Sequence, residues 1–300
     1  MNCYTKDFTL SAISPESTAA APTFVLVHGS GTSSFMWAPL QRELALLGHR
    51  SYAVDLPGHG LEAQYPVSYQ APQDLAALAA TPSTLAGVTL DDNVDRVAEV
   101  VTRLHEHGPV ILVGASLGGV TITAAADRLP ELVAGLVYIS AWACTTRPSP
   151  VAYMSEPEFA DSLLPALASL NVGDPGELGA GRANYRTADP DMLRALKEAT
   201  MADRSDAEFM AFLNILQPDE SIEVMVAHAT ANPATWGRIP RMFVRLTADR
   251  SLPIAMQDRI IADADALTPD NKFAVHTLDT SHAGFIHRSA EVARILTAAG

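Results

Sequence analysis

Val110 to Val120 reads VILVGASLGGV, and this stretch decides the fold. Val110 to Gly114 is a short β-favouring run, and Leu117 to Leu129 is an apolar, alanine-rich stretch of helical composition. Between them Gly114, Ser116 and Gly118 spell G-x-S-x-G. A strand that turns this sharply into a helix leaves no room for side chains two residues to either side of the serine. The same turn lifts the serine Oγ to the end of the strand. The helix N-terminus that follows favours negative charge developing beside it.

Strands of the same style recur on both sides of that turn. Thr23 to His28 (TFVLVH), Ser51 to Asp55 (SYAVD), Gly135 to Ile139 (GLVYI), Met242 to Leu246 (MFVRL) and Phe273 to Leu278 (FAVHTL) show little polar alternation. Such runs suit parallel strands buried on both faces. Helical spacing fills the gaps: Met36, Leu40, Leu44 and Leu47 form one stripe, and Val94, Val97, Val101 and Leu104 form another within Asn93 to Glu106. Val292, Ile295 and Leu296 close the chain in the same way. Alternation of this kind predicts an α/β fold, a mostly parallel central sheet flanked by helices.

One stretch breaks the rhythm. Residues 141–238 hold helical segments but no convincing core strand, with Gly- and Pro-rich joints such as NVGDPGELGAG at Asn171 to Gly181. They predict a helical lid inserted into a core domain made of residues 1–140 and 239–300. A smaller insertion is expected at Gln64 to Asp91, and Ser14 to Pro22 reads as a loop.

Composition narrows the chemistry. The 300 residues are 48% hydrophobic and 18% charged, enough apolar material for a sizeable core and too little charge for disorder. The net charge of −14 argues against a nucleic-acid or anionic-membrane partner, since both need a basic face. Cys3 and Cys144 stand far apart, which excludes a disulfide framework and a cysteine-based zinc site. The opening MNCYTKDFTL has no secretory pattern, and no apolar run approaches the length of a membrane span, so a cytoplasmic protein is expected. Only Lys6, Lys197 and Lys272 are lysines, and alanine is abundant, which fits a high-GC bacterial source.

A serine hydroxyl is a weak nucleophile. It needs a base to take its proton and an acid to hold that base in the right tautomer. His282, in DTSHAGF, follows the last buried strand and precedes the final helix, so it can lie at the same sheet edge as Ser116. His228 falls in the lid, His276 inside a strand, and His49, His105 and His107 at helix ends. For the acid, Asp249 follows the strand RMFVRL one β–α unit earlier, and the order Ser116, Asp249, His282 is the one serine hydrolases with this elbow use. Asp279 is too near His282 in sequence, Asp263 and Asp265 fall in a helix, and no acid closely follows Gly135 to Ile139.

An oxyanion needs two donors. The N–H of Leu117 and the N–H of Ser30, in HGSGTSSFMW, are the expected pair, with Gly29 allowing the close turn. Neither a P-loop nor a dinucleotide fingerprint is present, and nothing in the sequence makes His28 and His59 converge with a carboxylate. No metal and no cofactor is therefore expected. His28 reads as a brace for its loop, with His59 packed beside it. Trp142, Met154, Phe159, Phe209 and Trp236, together with Gly29, are the tentative substrate-binding residues, with Leu163, Leu164, Phe212 and Leu213 as further apolar candidates. An anionic substrate is disfavoured unless arginines such as Arg147 or Arg182 line the mouth.

VLVHGSGTSSFMWAPL, GHRSYAVDLPGHG, VILVGASLGG, RMFVRLTADRSLP and SHAGFIHRSAEVARIL together resemble the α/β-hydrolase superfamily. Within it they resemble the branch of plant methyl-ester esterases, hydroxynitrile lyases and bacterial esterase relatives. The resemblance covers most of the sheet domain and is weak through the lid. It implies a serine esterase with Ser116, Asp249 and His282 as triad, Ser30 and Leu117 as oxyanion hole, and the lid shaping the pocket. Lyases of that branch carry threonine after the first-loop histidine and lysine after the catalytic one. Here those places hold Gly29 and Ala283, which favours ester hydrolysis. A haloalkane dehalogenase or epoxide hydrolase would need aspartate at the elbow. The expected partners are a small or medium neutral ester or lactone and water, with a homodimer allowed. A carbon–carbon lyase on the same triad and a non-catalytic hydrolase-like receptor are the alternatives.

Overall fold

The apolar runs form a single parallel sheet in a computed structural model that describes residues 21–298. Cys3, the opening decapeptide and most of the expected loop at Ser14 to Pro22 lie outside the described residues. The strands are β1 (Thr23–Val27), β2 (Arg50–Val54), β3 (Val110–Ser116), β4 (Val133–Ala141), the two-residue β5 (Gly181–Arg182) and β6 (Asp219–Glu220), β7 (Arg241–Leu246) and β8 (Ala274–Leu278). The main sheet runs β2-β1-β3-β4-β7-β8, and each of its pairings is parallel. The helices are α1 (Ala38–Leu46), α2 (Leu75–Ala80), α3 (Leu90–His105), α4 (Gly118–Arg128), α5 (Pro150–Tyr153), α6 (Pro175–Leu178), α7 (Pro190–Thr200), α8 (Asp206–Leu213), α9 (Ile222–Val226), α10 (Ile254–Leu267) and α11 (Ser289–Thr297).

Two cores explain why the central strands lack polar alternation. Val25, Val27, Leu112, Leu136 and Tyr138 face α3, α4 and α10, through Val97, Val101, Ile122 and Ile260. The alternate residues Phe24, Leu26, Val113, Val137 and Val244 face α1 and α11, through Leu40, Leu44, Val292 and Leu296. A fully buried valine or leucine contributes roughly 1.5–3 kcal/mol, so these layers dominate the fold's stability. The edge strands β2 and β8 are more exposed, as a one-sided edge requires.

Boundaries moved where local chemistry outweighed periodicity. The structure starts α3 at Leu90, not at Asn93. There the Thr89 hydroxyl accepts from the Asp92 N–H at 3.3 Å, and the Asp92 carboxylate accepts the Thr89 N–H at 2.8 Å. This capping box satisfies donors that the apolar stripe does not report. Ser34 to Trp37 forms a 3₁₀ turn, so α1 begins only at Ala38, with Pro39 in its first turn.

The expected lid begins one residue early, since Ala141 still belongs to β4; residues 142–240 lie between β4 and β7 and carry α5 to α9 together with the antiparallel β5–β6 pair. Arg182 ties this segment to the smaller insertion. Its guanidinium is buried, bonded to both Asp219 oxygens at 2.6 Å, and its Nη1 donates to the carbonyls of Leu78 and Thr81 at 2.7 and 2.6 Å. Ser83 joins the same carboxylate at 2.6 Å. Arg182 is therefore a buried strut and does not line a substrate mouth, and Arg147 is likewise taken, by Glu156 at 2.5 Å. Truncating one partner of a buried, bonded ion pair strands the other. Arg182→Ala is expected to lower unfolding stability by roughly 3–5 kcal/mol, read from urea denaturation; a loss below roughly 1 kcal/mol would refute the strut.

Candidate active site

Ser116 ends β3 and adopts φ +51°, a left-handed conformation that is strained for any residue with a side chain. The neighbouring glycines are dictated by contact. A Cβ on Gly118 would stand 2.5 Å from the His28 carbonyl oxygen and 2.6 Å from that of Val27. A Cβ on Gly114 would stand 2.9 Å from the Gly118 oxygen, so Gly114 makes way for the far side of the turn and Gly118 for the end of β1. Gly29 belongs to the same packing, since its Cβ would fall 2.8 Å from the Ser116 Cβ.

Asp249, just beyond β7, is buried and fully bonded. Its Oδ1 accepts the N–H groups of Ser251 and Leu252 at 2.7 and 2.8 Å. Its Oδ2 accepts the Ser140 hydroxyl at 2.6 Å and meets His282 Nδ1 at 2.5 Å. Two backbone donors fix the plane of the carboxylate, and its second oxygen is then aimed at the imidazole. Burial pushes the His282 pKa down, but the charge and hydrogen bond of Asp249 outweigh it and leave the pKa raised. Asp279 binds Thr247, Asp263 pairs with Arg259, and Asp265 accepts from Phe273, so none of them reaches His282.

The loop after β1 supplies the remaining groups. His28 Nδ1 donates to the Gly29 carbonyl at 2.9 Å, and its Nε2 accepts the Leu56 N–H at 3.2 Å. That pattern demands the neutral ring. Burial, with the neighbouring His59, lowers its pKa to about 4. His28 is thus a brace, as its position in the sequence suggested. The N–H groups of Ser30 and Leu117 donate to no other described residue, and both residues line the same cavity.

That cavity measures about 630 Å³ and also exposes Ser116 and His282. Gly29, Trp142, Met154 and Phe159 line it, with Leu164, Phe212 and Met225. Phe209 and Trp236 do not. Phe209 points into the core with Leu196 and Met201, and Phe212, one turn further along α8, takes the cavity face. Trp236 stands just before β7, at the N-terminal end of the sheet, whereas the site lies at the C-terminal ends. Its indole donates to the Tyr138 hydroxyl at 2.8 Å, under the Arg241 guanidinium.

The sequence reading missed three contributors. Ser140, buried at φ +40° within YISAWA, donates its hydroxyl to Asp249. Asp203 accepts from the Thr280 and Ser281 hydroxyls and so braces the His282 loop from the inserted segment. Burial raises the Asp203 pKa, but Arg204 and those hydroxyls overcome this and hold it far below the usual carboxylate range. Glu220 enters the cavity, and it brings a carboxylate beside His28 and His59, whose rings are 4.8 Å apart. That convergence is unlike the sequence expectation. Both His28 nitrogens are nonetheless engaged by backbone, leaving no metal-ligating lone pair.

Known proteins resemble this chain in sequence and in fold. The chain is 28% identical over 142 residues to Methylesterase 2 of Arabidopsis thaliana, covering 47% of each chain. It is 32% identical over 119 residues to an Alpha-hydroxynitrile lyase of the same plant, covering 40% of this chain and 39% of that one. These matches span about half the length of the curated relatives or less. A crystal structure of a pyrethroid hydrolase from Sphingobium faniae JZ-2 shares the fold at TM-score 0.69 and 23% identity, over 93% of this chain and 96% of that one. The sequence model described as the alpha/beta hydrolase family matches residues 24–295, nearly all that the structure describes. The chain belongs to the alpha/beta hydrolase family.

Proposed function

We propose that this protein hydrolyses a small or medium neutral carboxylic ester or lactone through an acyl-enzyme on Ser116. The observation that carries the reading is the Asp249–His282 pair, a bonded carboxylate aimed at Nδ1 in the cavity that holds Ser116. His282 Nε2 takes the Ser116 proton as Oγ attacks the carbonyl carbon. The N–H groups of Ser30 and Leu117 receive the oxyanion, each worth roughly 3 kcal/mol of barrier. His282 then protonates the leaving alcohol. Water, deprotonated by His282, attacks the acyl carbon and releases the acid. Asp249 stays ionised and holds the imidazole tautomer throughout. Residues 141–238 act as the lid that shapes the pocket on the core of residues 1–140 and 239–300.

The apolar lining supports a neutral substrate, and the Glu220 carboxylate disfavours an anionic one. Ala283, buried directly after His282, offers no charge for a departing cyanide, which argues against lyase chemistry. A screen of p-nitrophenyl esters, methyl esters and lactones should release acid and alcohol, with uncharged acyl groups cleaved faster than carboxylate-bearing ones. Release of aldehyde and cyanide from cyanohydrins without ester cleavage would favour the lyase instead. Failure of a fluorophosphonate to label Ser116 would favour a receptor.

A further inference from the structure

The loop that carries Ser30 is held by two peptide planes, and the second is gripped from the inserted segment. The first plane joins Gly29 to Ser30. Its carbonyl accepts from His28 Nδ1 at 2.9 Å and from the Thr32 hydroxyl at 2.8 Å, which turns the Ser30 N–H to the opposite side. The second plane joins Ser30 to Gly31. Its N–H donates to Glu220 Oε2 at 2.9 Å, while the Gly31 carbonyl accepts the Gln217 N–H at 2.8 Å. Gly31 sits at φ +62°, and a Cβ there would stand 3.1 Å from the Tyr185 hydroxyl. The lid strand β6 and its approach thus fix the backbone on the far side of Ser30.

Glu220 is not alone. Its Oε2 lies 3.5 Å from His59 Nε2, an ion-pair separation, and that nitrogen has no other partner among the described residues. His59 Nδ1 faces the Pro57 carbonyl at 3.0 Å, so with Nε2 against a carboxylate both nitrogens face acceptors, as a protonated ring requires. Glu220 Oε1 accepts the Ser221 N–H at 2.9 Å. The other titratable groups that face the pair are His28, Asp55 and Tyr185, from the β1 loop, the β2 loop and the lid respectively.

We infer that Glu220 and His59 form a buried ion pair that positions the Ser30 N–H, and that ester turnover depends on His59 keeping its proton. This rests on the esterase reading above. An ionised Glu220 without its partner would place uncompensated negative charge beside the nascent oxyanion, in a site where charge is weakly screened. The two pKa values lean the right way. Burial opposes charge on both groups, but each holds the other ionised, so that His59 is raised and Glu220 lowered. The pair is intact between the lowered Glu220 pKa and the raised His59 pKa, and is lost as pH rises through the latter. His282 must be neutral, which sets the acid side. Activity then requires neutral His282 together with protonated His59, and loss of the His59 proton lowers turnover on the alkaline side.

The test compares Glu220→Ala and Glu220→Gln with the wild-type protein on an ester that Ser116 turns over. Glu220→Ala should lower kcat roughly tenfold to a hundredfold with KM little changed, as misplacement of a donor does. Glu220→Gln keeps an acceptor for the Gly31 N–H. It should recover most of kcat at neutral pH and lose the alkaline limb. Imidazole ¹⁵N titration should place His59 above the ordinary value in the wild type and at or below it in Glu220→Gln. Wild-type kcat in Glu220→Ala, or an unaltered alkaline limb in Glu220→Gln, would overturn the inference. If Glu220→Ala does not fold, the Gln variant decides by itself. A wild-type protein that cleaves no ester would instead remove the esterase reading, and the His59 titration would still report on the pair.

Discussion

Replacing Ser116 with alanine is expected to lower kcat by on the order of a millionfold, to the level the oxyanion donors sustain without a nucleophile. The fold should survive, because the constraint at this position is the backbone and not the hydroxyl. The turn is held by Gly114, Gly118 and the bond from the Trp142 N–H to the Ser116 carbonyl at 3.1 Å, none of which involves Oγ. Alanine inherits the φ of +51°, whereas glycine relieves it. Ser116→Gly should therefore unfold at least as late as Ser116→Ala, with a gap of about 1 kcal/mol in urea denaturation. Both should be equally inactive. An active Ser116→Ala protein would end the proposed mechanism, and a glycine variant clearly less stable than the alanine one would end the claim of strain at the elbow.

The parts of the molecule legible in the sequence are those governed by local rules. Apolar runs marked the central strands β1, β3, β4 and β7 because both their faces are covered, and G-x-S-x-G marked the elbow because its glycines touch backbone. Asp249 and His282 followed from where parallel strands must end. Cavity residues were less legible, since burial in the inserted segment and burial in the core draw on the same side chains. Phe209 and Phe212 are both buried in α8, yet only Phe212 reaches the cavity. Trp236 was separable in principle, because a residue leading into β7 lies at the wrong end of a parallel sheet. Glu220 was invisible: it occupies a two-residue strand, and its partners Gly31 and His59 are 189 and 161 positions away.

The inserted segment does more than roof the cavity. The Ala199 carbonyl accepts the Ser251 hydroxyl at 2.8 Å beside Asp249, and the Thr200 carbonyl accepts the Ala283 N–H at 2.8 Å beside His282. Gln217 and Glu220 hold Gly31 beside Ser30. The loops that carry Asp249, His282 and Ser30 are thus each bonded to one insertion. A large outward swing of the end of α7 would break the bonds to the Ser251 hydroxyl and the Ala283 N–H, and so loosen the loops that carry Asp249 and His282.

Asp249→Asn is expected to lower kcat about ten-thousandfold while leaving the protein folded, the second-largest effect proposed. An asparagine oxygen can still accept from the Ser251 and Leu252 N–H groups, which fix the side-chain plane. Its NH₂ group must then face His282 Nδ1 and the Ser140 hydroxyl. Ser140 adapts, since a hydroxyl both donates and accepts. His282 cannot adapt without harm. Facing a donor, Nδ1 must become the acceptor, which puts the proton on Nε2 and leaves no base toward Ser116. The raised pKa of His282 would also collapse, because its cause is the Asp249 charge and hydrogen bond. Burial would then act unopposed, so the imidazole ¹⁵N titration of His282 should move to lower pH in Asp249→Asn. Asp249→Ala should differ in kind, since it leaves two buried N–H groups and the Ser140 hydroxyl unsatisfied, at roughly 1–3 kcal/mol each. A kcat close to wild type in Asp249→Asn, or a His282 titration that does not move, would show that the 2.5 Å contact orients nothing.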